Sequence, residues 1–173
     1  MISIKRAISK DAQAIVDMGT ISVEEAHRGS CSAEDLNEYL RAHYNQEAIS
    51  KELDDPRNIY QLLFYEDKPA GFSKIVLNEA HENIEEKNVT KLDRIYLLKE
   101  FFNKKLGAEL LNFNIELAKL NGQAGIWLFT WEGNLRAINF YTKAGFQKIG
   151  MHHFQVTESS YNLNHHMYLK FCV

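Results

Sequence analysis

Between Leu92 and Phe146 the apolar residues change their spacing at every break, and this alternation constrains the fold more than any other feature of the chain. Leu92–Leu98 reads as a strand and Lys99–Lys105 as a basic loop. Leu106, Leu110, Phe113, Leu117 and Leu120 then recur at spacings of four and three, one face of a helix, and Gly122 fits its end. Gly125–Trp131 is an apolar strand. Asn134–Ala144 is a helix with Ala137, Phe140, Tyr141 and Ala144 inward, closed by Gly145 and anchored by Phe146. Strands alternating with helices predict a sheet covered by helices.

The flanks extend the same pattern. Ile2–Ala7 is a short strand, and Asp11 is placed to cap a helix through Ile15, Val16 and Met18. Ser32 with Asp35 has the form of a capping box opening a second helix, and Asn45–Leu53 is a short third one that stops before Pro56. Ile59–Tyr65 and Ala70–Leu77 form a hairpin around Glu66-Asp67-Lys68-Pro69. Glu79–Asn88 is a charged loop, and Gln147–Val156 and Tyr161–Phe171 close the chain as an antiparallel pair.

A length of 173 residues suits one domain, 1–173, large enough to hold a core without metals or disulfides. Cys31 and Cys172 show no metal-ligand spacing, the first residues carry no signal-peptide pattern, and no apolar run would span a bilayer. The expectation is a cytoplasmic protein with no membrane partner. The net charge of −3 hides a division: residues 1–90 hold 10 Lys+Arg against 17 Asp+Glu, and residues 91–173 hold 10 against 6. The basic excess of the second part is too small and dispersed for nucleic acid. His152-His153 and His165-His166 cannot chelate as adjacent pairs, because neighbours on a strand face opposite ways. No metal is expected, although one histidine of each pair could line a pocket.

The chemistry-bearing segment is the strand with Asp93-Arg94-Ile95-Tyr96-Leu97, followed by Phe102-Asn103-Lys104-Lys105-Leu106-Gly107-Ala108 at a helix entrance. A helix N-terminus offers unpaired N–H groups and partial positive charge, and the lysines add formal charge, so the place suits an anion. One strand later stands Asn134-Leu135-Arg136-Ala137-Ile138-Asn139-Phe140-Tyr141-Thr142-Lys143-Ala144-Gly145-Phe146.

Together these two regions resemble the signatures of the GCN5-related N-acetyltransferases, which move acetyl from acetyl-CoA to amines. Ser32–Leu40 and Arg94-Ile95-Tyr96 are similar to the PaiA-type spermidine and spermine acetyltransferases within that superfamily. The resemblance implies an α/β (α+β) fold: a mixed, mostly antiparallel twisted sheet with helices on both faces. It implies acetyl-CoA as co-substrate, held by Ile95, Tyr96 and Leu97, by residues 102–108, and by Asn134, Tyr141 and Lys143. It makes Tyr141 the group that meets the CoA sulfur and Asp93 the general base. The acidic first half, with Glu24 and Glu25, would supply the acceptor site and favour a cationic amine such as a polyamine.

Each assignment has a plainer alternative. Tyr141 could be core, Asn134 an ordinary helix cap, and Asp93 a partner for Lys91 or Arg94. Phe102 stands where the family has Gln or Arg, and Lys105 replaces a glycine. A lysine adopts the positive φ that glycine permits only at a cost, so either the loop has ordinary angles there and Lys105 adds a charge near phosphate, or cofactor affinity is reduced. Acetylation of a protein N-terminus or lysine is the alternative reaction, and a non-catalytic acyl-CoA-binding module the alternative class. A homodimer is left open.

Overall fold

The computed structural model describes residues 1–172. The chain runs β1 (Ile2–Arg6), α1 (Ala12–His27), α2 (Ala33–His43), α3 (Gln46–Asp54), β2 (Asn58–Tyr65), β3 (Lys68–Val76) and β4 (Val89–Leu97). It continues through α4 (Leu106–Leu120), β5 (Gly125–Trp131), α5 (Leu135–Lys143), β6 (Gln147–Gln155) and β7 (Tyr161–Lys170). The strands form one sheet in the order β1-β2-β3-β4-β5-β7-β6, antiparallel except for β4 beside β5. The expected α/β architecture is therefore present.

Alternation along the strands divides the core between the two faces. Tyr60, Leu62 and Phe72 meet Ile15, Met18, Leu36, Leu40 and Ile49 of α1, α2 and α3. Ile75, Leu92, Ile126, Leu128 and Met167 meet Leu111, Ile115 and Ala118 of α4 and Tyr141 of α5 on the other face.

Caps fix where the helices start. Ser32 Oγ accepts the Asp35 N–H at 3.0 Å and donates to the Asp35 carboxylate at 2.7 Å. Asn45 caps α3 by accepting the Ala48 N–H at 2.9 Å. Asp11 occupies the cap position of α1, but its carboxylate accepts the N–H of Ile8 instead of serving the helix.

Three local expectations are corrected. The hairpin turn is Glu66-Asp67 alone, both at positive φ (50° and 62°), while Lys68 and Pro69 already belong to β3. A two-residue turn of this hand matches the twist of its strands. The buried stripe of α4 is Leu106, Leu110, Leu111, Asn114, Ile115 and Ala118, so Phe113 and Leu120 face solvent. Asn114 hides that stripe from a hydropathy reading although it is buried, its NH2 donating to Ser73 Oγ and the Leu110 carbonyl. Ala144 is exposed, and the anchoring is done by Phe146.

Candidate active site

β4 and β5 pair only through Val89↔Gly125, Thr90↔Ile126 and Lys91↔Trp127, and then part. On its other side β4 carries a bulge. Ile75 faces Leu92 and Lys74 faces Arg94, so Asp93 is the extra residue. A bulge re-aims side chains and bends the strand. The parted strands open a cleft of about 950 Å³ that runs between the α1–α2 side and the start of α4 and α5.

At the α4 end, Lys99–Phe101 makes a 3-10 turn, and Phe102 leads into α4. Asn103 and Lys105 both have positive φ (64° and 60°), and Lys105 is the N-cap of α4. Lys105 therefore holds the left-handed backbone that glycine adopts more readily. Gly107 lines the cleft, and a Cβ there would be in ordinary contact with Leu97 and Phe140 at 3.5–3.7 Å. A side chain at Gly107 would occupy the space in front of the helix N-terminus. Leu106 is turned into the core beside Leu63 and Leu110, which leaves only its backbone for a ligand. The Arg136 guanidinium lies over the Phe102 ring, 3.5 Å from its centroid, and both line the cleft. A cation therefore reaches this loop from α5, a contribution that reading the loop alone does not disclose.

Tyr141 is buried and lines the cleft, and among the described residues nothing bonds its hydroxyl. Burial raises its pKa, so the phenol keeps its proton. Asn134 uses its carbonyl to cap α5, accepting the Ala137 N–H at 3.1 Å, and leaves its NH2 to the cleft. Lys143 is exposed on α5 and does not line the cleft, contrary to expectation.

At the α1–α2 end, Lys91, Asp93, Arg94, Ile95, Tyr96 and Leu97 line the cleft. Asp93 is held by Lys91 at 2.9 Å and Lys74 at 3.0 Å. Glu52, on α3, takes Lys74 at 2.7 Å and Arg94 at 3.0 Å. Tyr60 donates to Glu52 at 2.7 Å and accepts from Arg94. Burial works to raise the Asp93 pKa, but Lys91, Lys74 and Arg94 outweigh it and hold the carboxyl far below its ordinary value. Asp93 is thus a partner of Lys91, as the plainer reading of the residue has it, and of Lys74 as well. Tyr96 hydrogen-bonds His27 of α1 at 3.1 Å. Burial pushes His27 down to about 4, so the ring is neutral near pH 7.

Of the two expected acceptor carboxylates, only Glu25 lines the cleft. Glu24 is turned away and bound to Arg28 at 2.7 Å. Neither His152 nor His166 reaches the cleft. His152 stacks on Phe129 at 4.0 Å, and His166 is fully buried between His81, Trp127 and Phe129. Asn162, Asn164 and Trp131, which no sequence motif marks, do line it. Among the described residues no helix is long and apolar enough to cross a membrane.

Comparison with known proteins agrees with this geometry. A family model described as "Acetyltransferase (GNAT) family" matches residues 20–146. An uncharacterized N-acetyltransferase from the pepI 3′ region of Lactobacillus delbrueckii subsp. lactis is 26% identical over 153 residues, 88% of each chain. The spermidine N(1)-acetyltransferase of Thermoplasma acidophilum is 25% identical over 152 residues, covering 84% of this chain and 88% of its own. The crystal structure of the PaiA N-acetyltransferase from Thermoplasma acidophilum in complex with coenzyme A superposes with a TM-score of 0.79 at 22% identity, covering 99% of both chains.

Proposed function

Since the chain belongs to the acetyltransferase (GNAT) family and is an N-acetyltransferase that uses acetyl-CoA, we propose that its acceptor is a small cationic amine of the polyamine class. The observation that carries this reading is the through-cleft. Its α4 end suits an anion, and its α1–α2 end is walled by aromatic side chains with Glu25 at the rim.

The residues at the α4 end fit the cofactor's phosphates. Of residues 102–108, Phe102 and Gly107 line the cleft beside Lys99 and Arg136, and Asn103, Lys104, Lys105, Leu106 and Ala108 do not; the N–H groups of this loop and of the α4 N-terminus are the donors we assign to the phosphates. Acetyl-CoA, once bound, supplies the activated acetyl group. The backbone of Ile95–Leu97 stabilises the negative oxygen that develops when the amine attacks the thioester carbonyl. Tyr141, kept protonated by burial, donates a hydrogen bond to the departing thiolate. Complete proton transfer is not required of it: even an ordinary phenol near 10 is a weaker acid than a thiol near 8.5 by roughly 2 kcal/mol, and burial widens the gap.

Asp93, tied to Lys74 and Lys91, and the buried neutral His27 both bind a proton weakly, so the acceptor enters the cleft as the free amine and, once it has attacked, gives its proton to bulk water. Asp93 and Glu52 instead hold Lys74, Lys91 and Arg94 in place under the acceptor. Three cations against two anions leave that floor net positive, which disfavours an ammonium at the reacting position and favours the free amine that attacks. The domain is read as 1–173, working in the cytoplasm.

The test is release of CoA thiol from acetyl-CoA, screened over polyamines, amino acids, aminoglycosides and peptides. Spermidine or spermine should have the highest kcat/KM at low salt, and the preference should fall as salt is added. A peptide or amino acid that outperforms them would overturn the acceptor class.

A further inference from the structure

β7 lays one row of polar side chains along the cleft. Asn162 and Asn164 are two apart, so they share a face, and both are more than nine-tenths buried (7% and 5% exposed). Neither amide makes a hydrogen bond to any described residue, and both carbonyl oxygens are sealed from solvent without a donor. Buried polar groups in native proteins are bonded in the great majority of cases, so two adjacent exceptions in the wall of a binding cleft require an explanation. Of the other buried amides, Asn114 and Gln123 donate their NH2 groups to Ser73 and Asn78, although the Asn114 oxygen has no donor, and Gln61, whose oxygen is also unbonded, lies away from the cleft. Because nothing in the protein holds either amide, a half-turn about the last torsion breaks no internal hydrogen bond and presents the oxygen to the cleft.

The charges around the row select what it would bind. Of the cations on the α1–α2 side of the cleft, Lys91 is bound to Asp93, Arg94 to Glu52 and Arg28 to Glu24. Glu25 is the charged group on that side that has no ion pair among the described residues. Aromatic walls complete the surface. Trp131 lies opposite Asn164 in register, Phe154 lies opposite Asn162, and Tyr39 meets Phe154 edge-on at 6.1 Å. Neutral carbonyl oxygens, aromatic faces and one free carboxylate are the groups that take an alkylammonium ion out of water.

We propose that Asn162 and Asn164 bind the non-reacting ammonium group of a di- or polyamine acceptor while its other amine reaches the thioester. They would thereby set the preference for polyamines over monoamines. This rests on the acceptor reading given above.

The experiment measures kcat/KM for butylamine, putrescine and spermidine in the wild type, Asn164→Leu, Asn162→Leu and Asn164→Asp, with melting curves and CoA affinity for each. The Leu substitutions should lower kcat/KM for spermidine by about 10- to 100-fold, the span of a lost hydrogen bond to a charged group, through KM. Butylamine, which has no second ammonium, should change less than about threefold. Asn164→Asp should raise kcat/KM for the two longer amines and leave butylamine alone. This variant carries the test if the Leu variants do not fold. Equal losses for all three amines, or none, would overturn the assignment of Asn162 and Asn164 while leaving polyamine acetylation standing. A wild type that acetylates other amines but neither polyamine would overturn both readings.

Discussion

At the cofactor end, the cleft is shaped by residues close in sequence, Lys99 to Gly107, with Asn134–Ala137 supplied by the start of α5. At the acceptor end it is shaped by side chains from α1, α2, β4, β5 and β7, brought together only by the fold. On the reading proposed above, the first region binds through backbone N–H groups, so Phe102 and Lys105 need not match the family pattern. The second presents side chains, each of which can be changed singly. Cofactor binding should therefore resist substitution, and acceptor choice should not.

The most severe test of that contrast is Tyr141→Phe, because Tyr141 is a side chain at the backbone-dominated end. It should lower kcat by roughly 10–1,000-fold while KM for acetyl-CoA stays within a few-fold, since the hydroxyl meets charge that develops late. An unchanged kcat with chemistry rate-limiting would return Tyr141 to the core.

Glu52→Ala tests the other end. It takes from Lys74 one of its two carboxylates and from Arg94 the nearer one, leaving both on Asp93, and loss of one partner in a largely buried ion cluster costs about 3 kcal/mol. Chemical denaturation should show that loss, with CoA affinity nearly unchanged. Burial opposes ionisation of Glu52, but Arg94 and Lys74 prevail and lower its pKa, and Asp93 is lowered likewise. Their contribution is therefore complete above the unfolded values near 4 and drains away as pH falls below them. Asp93→Asn should flatten the acid side of the stability profile. A profile identical to wild type would show that the cluster adds nothing to folding.

Arg136→Ala should weaken CoA binding by about tenfold, and less at high salt, as expected for one charge-assisted contact to phosphate. Calorimetry with CoA and with pantetheine separates the cases. An equal effect on both ligands would show that Arg136 acts by shaping the loop.

The smallest effect belongs to Lys105→Gly. A left-handed lysine costs roughly 1–2 kcal/mol, and glycine's greater freedom in the unfolded chain takes back about 0.4–1. The variant should be more stable by under about 1 kcal/mol, with CoA affinity moved less than tenfold because relief of strain opposes loss of charge. A larger loss of affinity would make Lys105 a phosphate ligand in its own right.

The cofactor end was legible in the sequence because its information is local. A strand, a basic loop, a helix and the run from Asn134 to Phe146 are each readable from neighbouring residues. The acceptor end was legible only in part. The partners of Asp93 include Lys74 on another strand, and Glu52 joins them from a helix far away in the chain, so spacing cannot reveal that cluster. The bulge left one trace: Asp93 and Arg94 are consecutive polar residues that a regular strand would send to opposite faces. Asn162 and Asn164 alternate with Leu163, which reads equally well as an exposed polar face. Only burial without partners distinguishes the two cases.

The three-pair contact between β4 and β5 has a topological consequence. An open sheet ordinarily has two edges; this one has four, because the parted strands expose an inner pair facing each other across the cleft. Unpaired edges invite another strand, and proteins usually blunt or cover them. Here they are recessed where another chain cannot easily enter but a slender ligand can. A molecule bonded to both inner edges closes the ladder and joins two half-sheets that otherwise meet at a narrow neck. Cofactor occupancy is then coupled to the mechanical continuity of the whole sheet, and amide hydrogen exchange along Asp93–Leu97 should slow when CoA binds.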